Sequence, residues 1–91
     1  MVVPVHGLSA SLIEDISGDA QGRIWVATDG MGLYRFRQAE DYSRVLDLKN
    51  FTVDEGLNYN KAKELTLDRE DNVWVALYGG GIARYLGGQF E

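Results

Sequence analysis

Few residues of this 91-residue chain have the type and spacing to do chemistry. Glu14, Asp15 and Glu64 are carboxylates in strand-like surroundings. A glycosidase pair must converge across a sugar from two sides. Adjacent strand residues point to opposite faces, so Glu14 and Asp15 are not expected to converge. His6 is the single histidine and has no neighbour at metal-ligand spacing, which argues against zinc and against a Ser-His-Asp arrangement. Gly30-Met31-Gly32 and Gly79-Gly80-Gly81 are the nearest approach to phosphate loops. A P-loop needs Lys-Ser/Thr and then a helix. Here an apolar, strand-like run follows each, so these glycines read as turns. No catalytic residue, metal ligand or cofactor is predicted.

Two other groups of residues favour recognition. Arg35 and Arg84 each lie between aromatic or apolar residues. They read either as an anion clamp, or as partners of Asp15, Glu64, Asp19 or Asp68 or stacking groups on Trp25 and Trp74. Asn58, Tyr59 and Asn60, with Tyr78, Asp29 and Met31, offer amide and aromatic groups suited to a small molecule or sugar. Turn formation is the plainer role for the asparagines. Asn50-Phe51-Thr52 is a glycosylation sequon of little weight, because such triplets arise often by chance.

The elements that must position these residues follow from composition. Hydrophobic residues make up 45% of the chain and aromatics 11%, the profile of a folded domain. Eleven glycines stand against one proline, which predicts short strands joined by tight turns. The net charge of −5 and the lack of a basic run argue against nucleic acid. There is no cysteine, hence no disulfide framework. Met1–Ser11 lacks the basic start and long apolar core of a signal peptide, and no apolar run is long enough for a spanning helix.

The chain also repeats itself. Slid by 49 positions, Gly7 falls on Gly56, Asp19 on Asp68, Trp25 on Trp74, Gly30 on Gly79, Gly32 on Gly81 and Arg35 on Arg84. Each copy reads as four strands: Leu12–Ser17, Arg23–Thr28 and Leu33–Arg37 in the first, then Lys63–Leu67, Asn72–Leu77 and Ile82–Leu86 in the second. An outer strand is predicted at Phe51–Val53, with Val2–Val5 its counterpart. In Arg23–Thr28, Ile24, Val26 and Thr28 alternate with Trp25 and Ala27, and both sets are largely apolar. A meander covered on both faces, with a period near 50, predicts all-β propeller blades.

The stretch GLSASLIEDISGDAQGRIWVATDGMGLYRF resembles the repeat of the two-component regulator propeller family. GLNYNKAKELTLDREDNVWVALYGGGIARY is a second copy that departs at Leu77-Tyr78 and Asp71. The resemblance implies an extracytoplasmic, ligand-sensing and often carbohydrate-linked module. Streptogramin lyases are more distant relatives, and their activity would need His and Glu on several blades.

The whole chain, residues 1–91, is therefore expected to form one two-blade module. The repeats cover about 2–50 and 51–91, and the second outer strand is completed by the N-terminus of a neighbouring copy. Repeat arrays generally need about three units, so the outer faces should be covered by homo-oligomerisation into a ring. A tetramer of eight blades is favoured, with a trimer or pentamer as alternatives. The Met start and two-blade length fit an engineered or excised unit. No membrane or nucleic-acid partner is expected, and the module is expected not to be an enzyme.

Overall fold

The structure is a computed structural model that describes residues 12–41, 44–57, 60–79, 81–86 and 89–90. It contains two four-stranded antiparallel sheets in simple meander order. The first comprises β1 (Ile13–Gly18), β2 (Ile24–Thr28), β3 (Leu33–Gln38) and β4 (Val45–Phe51). The second comprises β5 (Ala62–Leu67), β6 (Val73–Leu77), β7 (Gly81–Leu86) and a two-residue β8 (Gln89–Phe90).

The sequence places the first three strands of each sheet to within a residue or two. The outer strand is different. Residues Val45–Phe51 form it, with Leu33 paired to Phe51, Arg35 to Lys49 and Gln38 to Val45. Val53 instead opens a turn of 3-10 helix at Val53–Glu55, closed by the Gly56 amide donating to the Val53 carbonyl at 3.2 Å. The polar Asp47, Lys49 and Asn50 hide the strand pattern, as suits a partly exposed sheet edge. In the second blade the chain's own Gln89–Phe90 begins the outer strand. The Val2–Val5 segment, with Gly7, lies outside the described residues.

Alternation along β2 divides the core as the sequence predicts. Trp25 and Ala27 join Leu33, Phe51, Leu57, Ala62, Leu65, Val73, Val75, Leu77 and Ala83 in one cluster between the sheets. Val26 joins Tyr34 and Phe36 on the opposite face, with Ile13, Ile24, Met31 and Val45 packed around them. Removing a Trp, Leu or Val side chain from water stabilises the fold by about 1.5–3 kcal/mol each. The shared face between the sheets is therefore what holds the two meanders together.

The β1–β2 and β5–β6 hairpins use the same device twice. The Asp19 carboxylate accepts hydrogen bonds from the Gln21 and Arg23 amides at 2.9 Å and from the Trp25 indole Nε1 at 3.0 Å. Asp68 accepts from the Glu70 amide at 2.9 Å, the Asn72 amide at 3.0 Å and Trp74 Nε1 at 2.9 Å. A left-handed residue closes each turn: Gly22 at φ 79° and Asp71 at φ 64°. Asp is among the few non-glycine residues that visit that region, and Asp71 Oδ1 accepts from the Ala20 amide of the first blade at 2.9 Å.

Candidate functional site

The loop-end residues with sugar-binding chemistry do not all converge. Asp29 and Tyr78 do: with Lys61 and Gly79 they line an open cleft of about 530 Å³ between the two sheets. An antiparallel bridge between Asp29 and Lys61 holds its floor. The Tyr78 ring is exposed, and its hydroxyl donates to Glu14 Oε1 at 3.0 Å. That bond, together with the Glu14 charge, raises the phenol above its ordinary value of 10.0.

Asn60 and Met31 lie elsewhere. The Asn60 carbonyl accepts from the Gly32 amide at 2.8 Å and the Gly30 amide at 3.3 Å, and its Oδ1 accepts from the Val53 amide at 2.9 Å. This residue ties three loop segments together, the turn role that its type suggests. Met31 packs against the Val26 cluster and is not part of the cleft lining. Asn58 and Tyr59 lie outside the described residues, as does His6.

The carboxylates of the first strand both reach the second blade, but take different partners there, across an irregularity that periodicity does not reveal. A bulge between Ile13 and Asp15 shifts the β1–β2 register, and β5 carries the same bulge between Ala62 and Glu64. Glu14 then reaches Tyr78, while Asp15 Oδ2 accepts the Leu65 amide of the second blade at 2.8 Å. Among the described residues no cluster of three His, Cys, Asp or Glu is placed to hold a metal.

At the hairpin end a second cleft, of about 480 Å³, runs between the blades and is lined by Arg23, Arg35, Asp71, Asn72 and Tyr85 among others. Arg35 lies over three rings, 5.2 Å from the Phe51 centroid, 5.4 Å from Trp25 and 5.9 Å from Tyr85. It also donates to the Tyr85 hydroxyl at 3.3 Å. Arg84 sits 5.1 Å over Trp74. Both repeated arginines thus stack on aromatic rings, and Arg23 lies 5.9 Å over Trp25 while pairing with Asp19 at 2.6 Å. Trp25, Phe51, Tyr85 and Phe90 form an aromatic cluster with centroids 5.1–5.6 Å apart. Sequence reading of the repeat missed the Asp–Trp hydrogen bond, although its signal was there: an Asp six residues before Trp in both copies.

Three further environments define what these surfaces can do. Partial burial would push Asp19 up, but the bonds from Trp25 and Arg23 outweigh it and hold the carboxyl below its usual range. The Trp74 indole, with Asn72 and Glu70, holds Asp68 at about 2. Asn50 uses its side-chain amide to donate to the Met31 carbonyl at 2.8 Å and the Leu33 carbonyl at 3.0 Å, so the sequon nitrogen is part of the sheet edge.

The strand order, the paired hairpins and the packing of one sheet face on the other describe adjacent propeller blades. Comparison with known proteins agrees: the two component regulator propeller family matches residues 7–30. Residues 7–30 thus resemble one two-component regulator propeller repeat. The matched span ends at Gly30, inside the first blade, at the start of the glycine turn into β3.

Among solved structures, the chain is similar to the extracellular domain of a hybrid two component system from B. thetaiotaomicron, with TM-score 0.74 and 24% identity over 87% of this chain. It is also similar to an extracellular domain described as that of a one component system from the same organism, with TM-score 0.69 and 24% identity over 91% of this chain. The chain spans 12% of the length of each. No curated protein matches the sequence. Among the described residues, no helix of the propeller blades is long and apolar enough to cross a membrane.

Proposed function

We propose that this pair of propeller blades is a non-catalytic assembly module that extends head to tail, its Trp74 face receiving the first blade of a second copy until a ring closes. One observation carries the reading. Inside the chain, the Trp25 face of the first blade is sealed by Val73, Val75 and Leu65 of the second. The same face of the second blade leaves Trp74 37% and Ile82 66% exposed. The surface that would fill it is the first blade's Ile16, Ile24 and Val26, which stand where Leu65, Val73 and Val75 stand one repeat later. The centre of that surface is already packed, while Ile16 remains 56% exposed against 7% for Leu65. Head-to-tail contacts of this kind are heterologous and end in a ring when the rotation closes.

Native mass spectrometry with light scattering tests the proposal. A single species of three, four or five subunit masses is expected, the tetramer of eight blades being favoured. A soluble monomer at micromolar concentration would sink it.

A second reading, a segment of a longer ligand-sensing propeller, is favoured by the 12% share of the matched extracellular domains that this chain spans. In that case further blades of the same polypeptide cover both faces, and the Asp29–Tyr78 cleft recurs at each blade boundary as a place for a sugar hydroxyl and ring. Calorimetry with neutral oligosaccharides, comparing the native sequence with Tyr78→Ala, separates the two. Binding by a monomer, lost in the variant, supports the sensing role.

A further inference from the structure

The internal blade boundary provides the register for the next one. Glu14 is the bulged residue of β1, and it accepts the hydrogen bond from Tyr78, just beyond β6 of the following blade. One repeat on, Lys63 is the bulged residue of β5 and holds the position of Glu14. One repeat back, Asp29 holds the position of Tyr78. The backbone settings agree, because the Tyr78 amide donates to the Lys61 carbonyl at 3.0 Å as the Asp29 amide donates to Leu12 at 2.8 Å.

We infer that where the second blade of one copy meets the first blade of the next, Lys63 forms an ion pair with Asp29 of that next copy. The inference rests on the head-to-tail reading above and adds the residues that recognise the partner. The Glu14–Tyr78 pair joins a shorter side chain on one blade to a long one on the next. Lys63 and Asp29 exchange those lengths, so the span is kept while the hydrogen bond becomes a pair of opposite charges. Both residues are exposed, and among the described residues neither takes part in an ion pair. Lys63 Nζ rests 5.9 Å over the Tyr78 ring.

The hairpin end of the copy-to-copy boundary is correspondingly poorer. Inside the chain, Asp71 accepts from Ala20 and the Tyr85 hydroxyl accepts from Arg35. The residues at those positions in an incoming first blade are Gly22 and Phe36, which have no side-chain acceptor. Two polar ties present inside the chain are therefore missing between chains, and the Lys63–Asp29 pair adds an ion pair that the internal boundary does not have at this position. It also makes that boundary the more salt-sensitive of the two.

The test is a charge exchange read by sedimentation velocity across a concentration series of the full chain. Lys63→Glu and Asp29→Lys are each expected to raise the concentration of half-assembly by about threefold to tenfold per boundary, the range for an exposed pair replaced by like charges. The double variant is expected to return to within about twofold of the native sequence, because it restores opposite charges. Thermal midpoints of each variant at monomer dilution confirm that the blades themselves still fold. Weakening in the single variants without recovery in the double, or no change in any variant, overturns the ion pair and leaves ring assembly standing. A native chain that remains monomeric overturns the assembly reading and the pair together, and that is read before any variant is made.

Discussion

Trp25 and Trp74 hold the same place in the two blades, each with its indole on an Asp six residues earlier and an Arg lying over its ring. Trp25 is fully buried and Trp74 is 37% exposed. Leu33 and Ile82 differ more widely, at 0% and 66%. Local sequence built both sites alike, so the difference comes from what lies across the sheet face. A blade supplies the geometry of a tryptophan anchor, and its neighbour supplies the energy.

The largest expected break of this comparison is at the tryptophans themselves. Trp25→Ala should cost about 3–5 kcal/mol in urea unfolding, because it opens a cavity between the sheets. Trp74→Ala should cost the isolated chain about 1–2 kcal/mol, in line with its partial burial. In an assembled ring the two losses should converge, and equal losses in a chain shown to be monomeric would contradict the open face.

The paired glycines sharpen the point. A Cβ at Gly32 would lie 2.1 Å from the Phe51 carbonyl oxygen, whereas at Gly81 nothing lies within 4 Å. Both residues have positive φ, at 74° and 81°. Gly81→Ala should cost about 1–2 kcal/mol for the left-handed backbone alone. Gly32→Ala adds a backbone collision, for about 2–4 kcal/mol in total. Thermal midpoints of the two variants read the difference directly.

At the hairpins, Asp19→Ala should destabilise by about 2 kcal/mol, since it strips charge-assisted bonds from an enclosed site. Asp68→Ala should cost less, its hairpin being open to water. Both carboxyls are lowered in the folded state, Asp68 to about 2. Their contribution is therefore complete above about pH 4 and is lost as pH falls toward about 2. Tryptophan fluorescence followed from pH 6 to 2 should change in that window, and the Asp19→Ala variant should lose part of the change. The smallest effect is expected for Tyr85→Phe, which makes the internal boundary resemble the outer one by removing the Arg35 hydrogen bond. It should cost about 0.5–1 kcal/mol, measured by urea unfolding.

Much of the fold was legible because short-range rules built it. The 49-residue repeat, the alternation of Trp25 with Val26 and the turn residues at Gly22 and Asp71 each mark a strand or hairpin by local chemistry. The outer strand was misplaced because Val45–Phe51 is an edge whose polar residues break the apolar pattern. The candidate site was half legible. Asp29 and Tyr78 meet across the blades, but Asn60 is committed to backbone amides and Met31 to the core. The bulges that send Glu14 and Asp15 to different partners leave no mark in the residue types.

The sequence by itself determined that this protein is two copies of one β-meander and which residues anchor each hairpin. Those features depend on alternation, turn preference and contacts a few residues apart. Only the tertiary structure decided which face of each blade is covered and which residues meet across the boundary. Two blades that share one repeat pattern present opposite faces to each other, and burial is a property of the neighbour as much as of the residue.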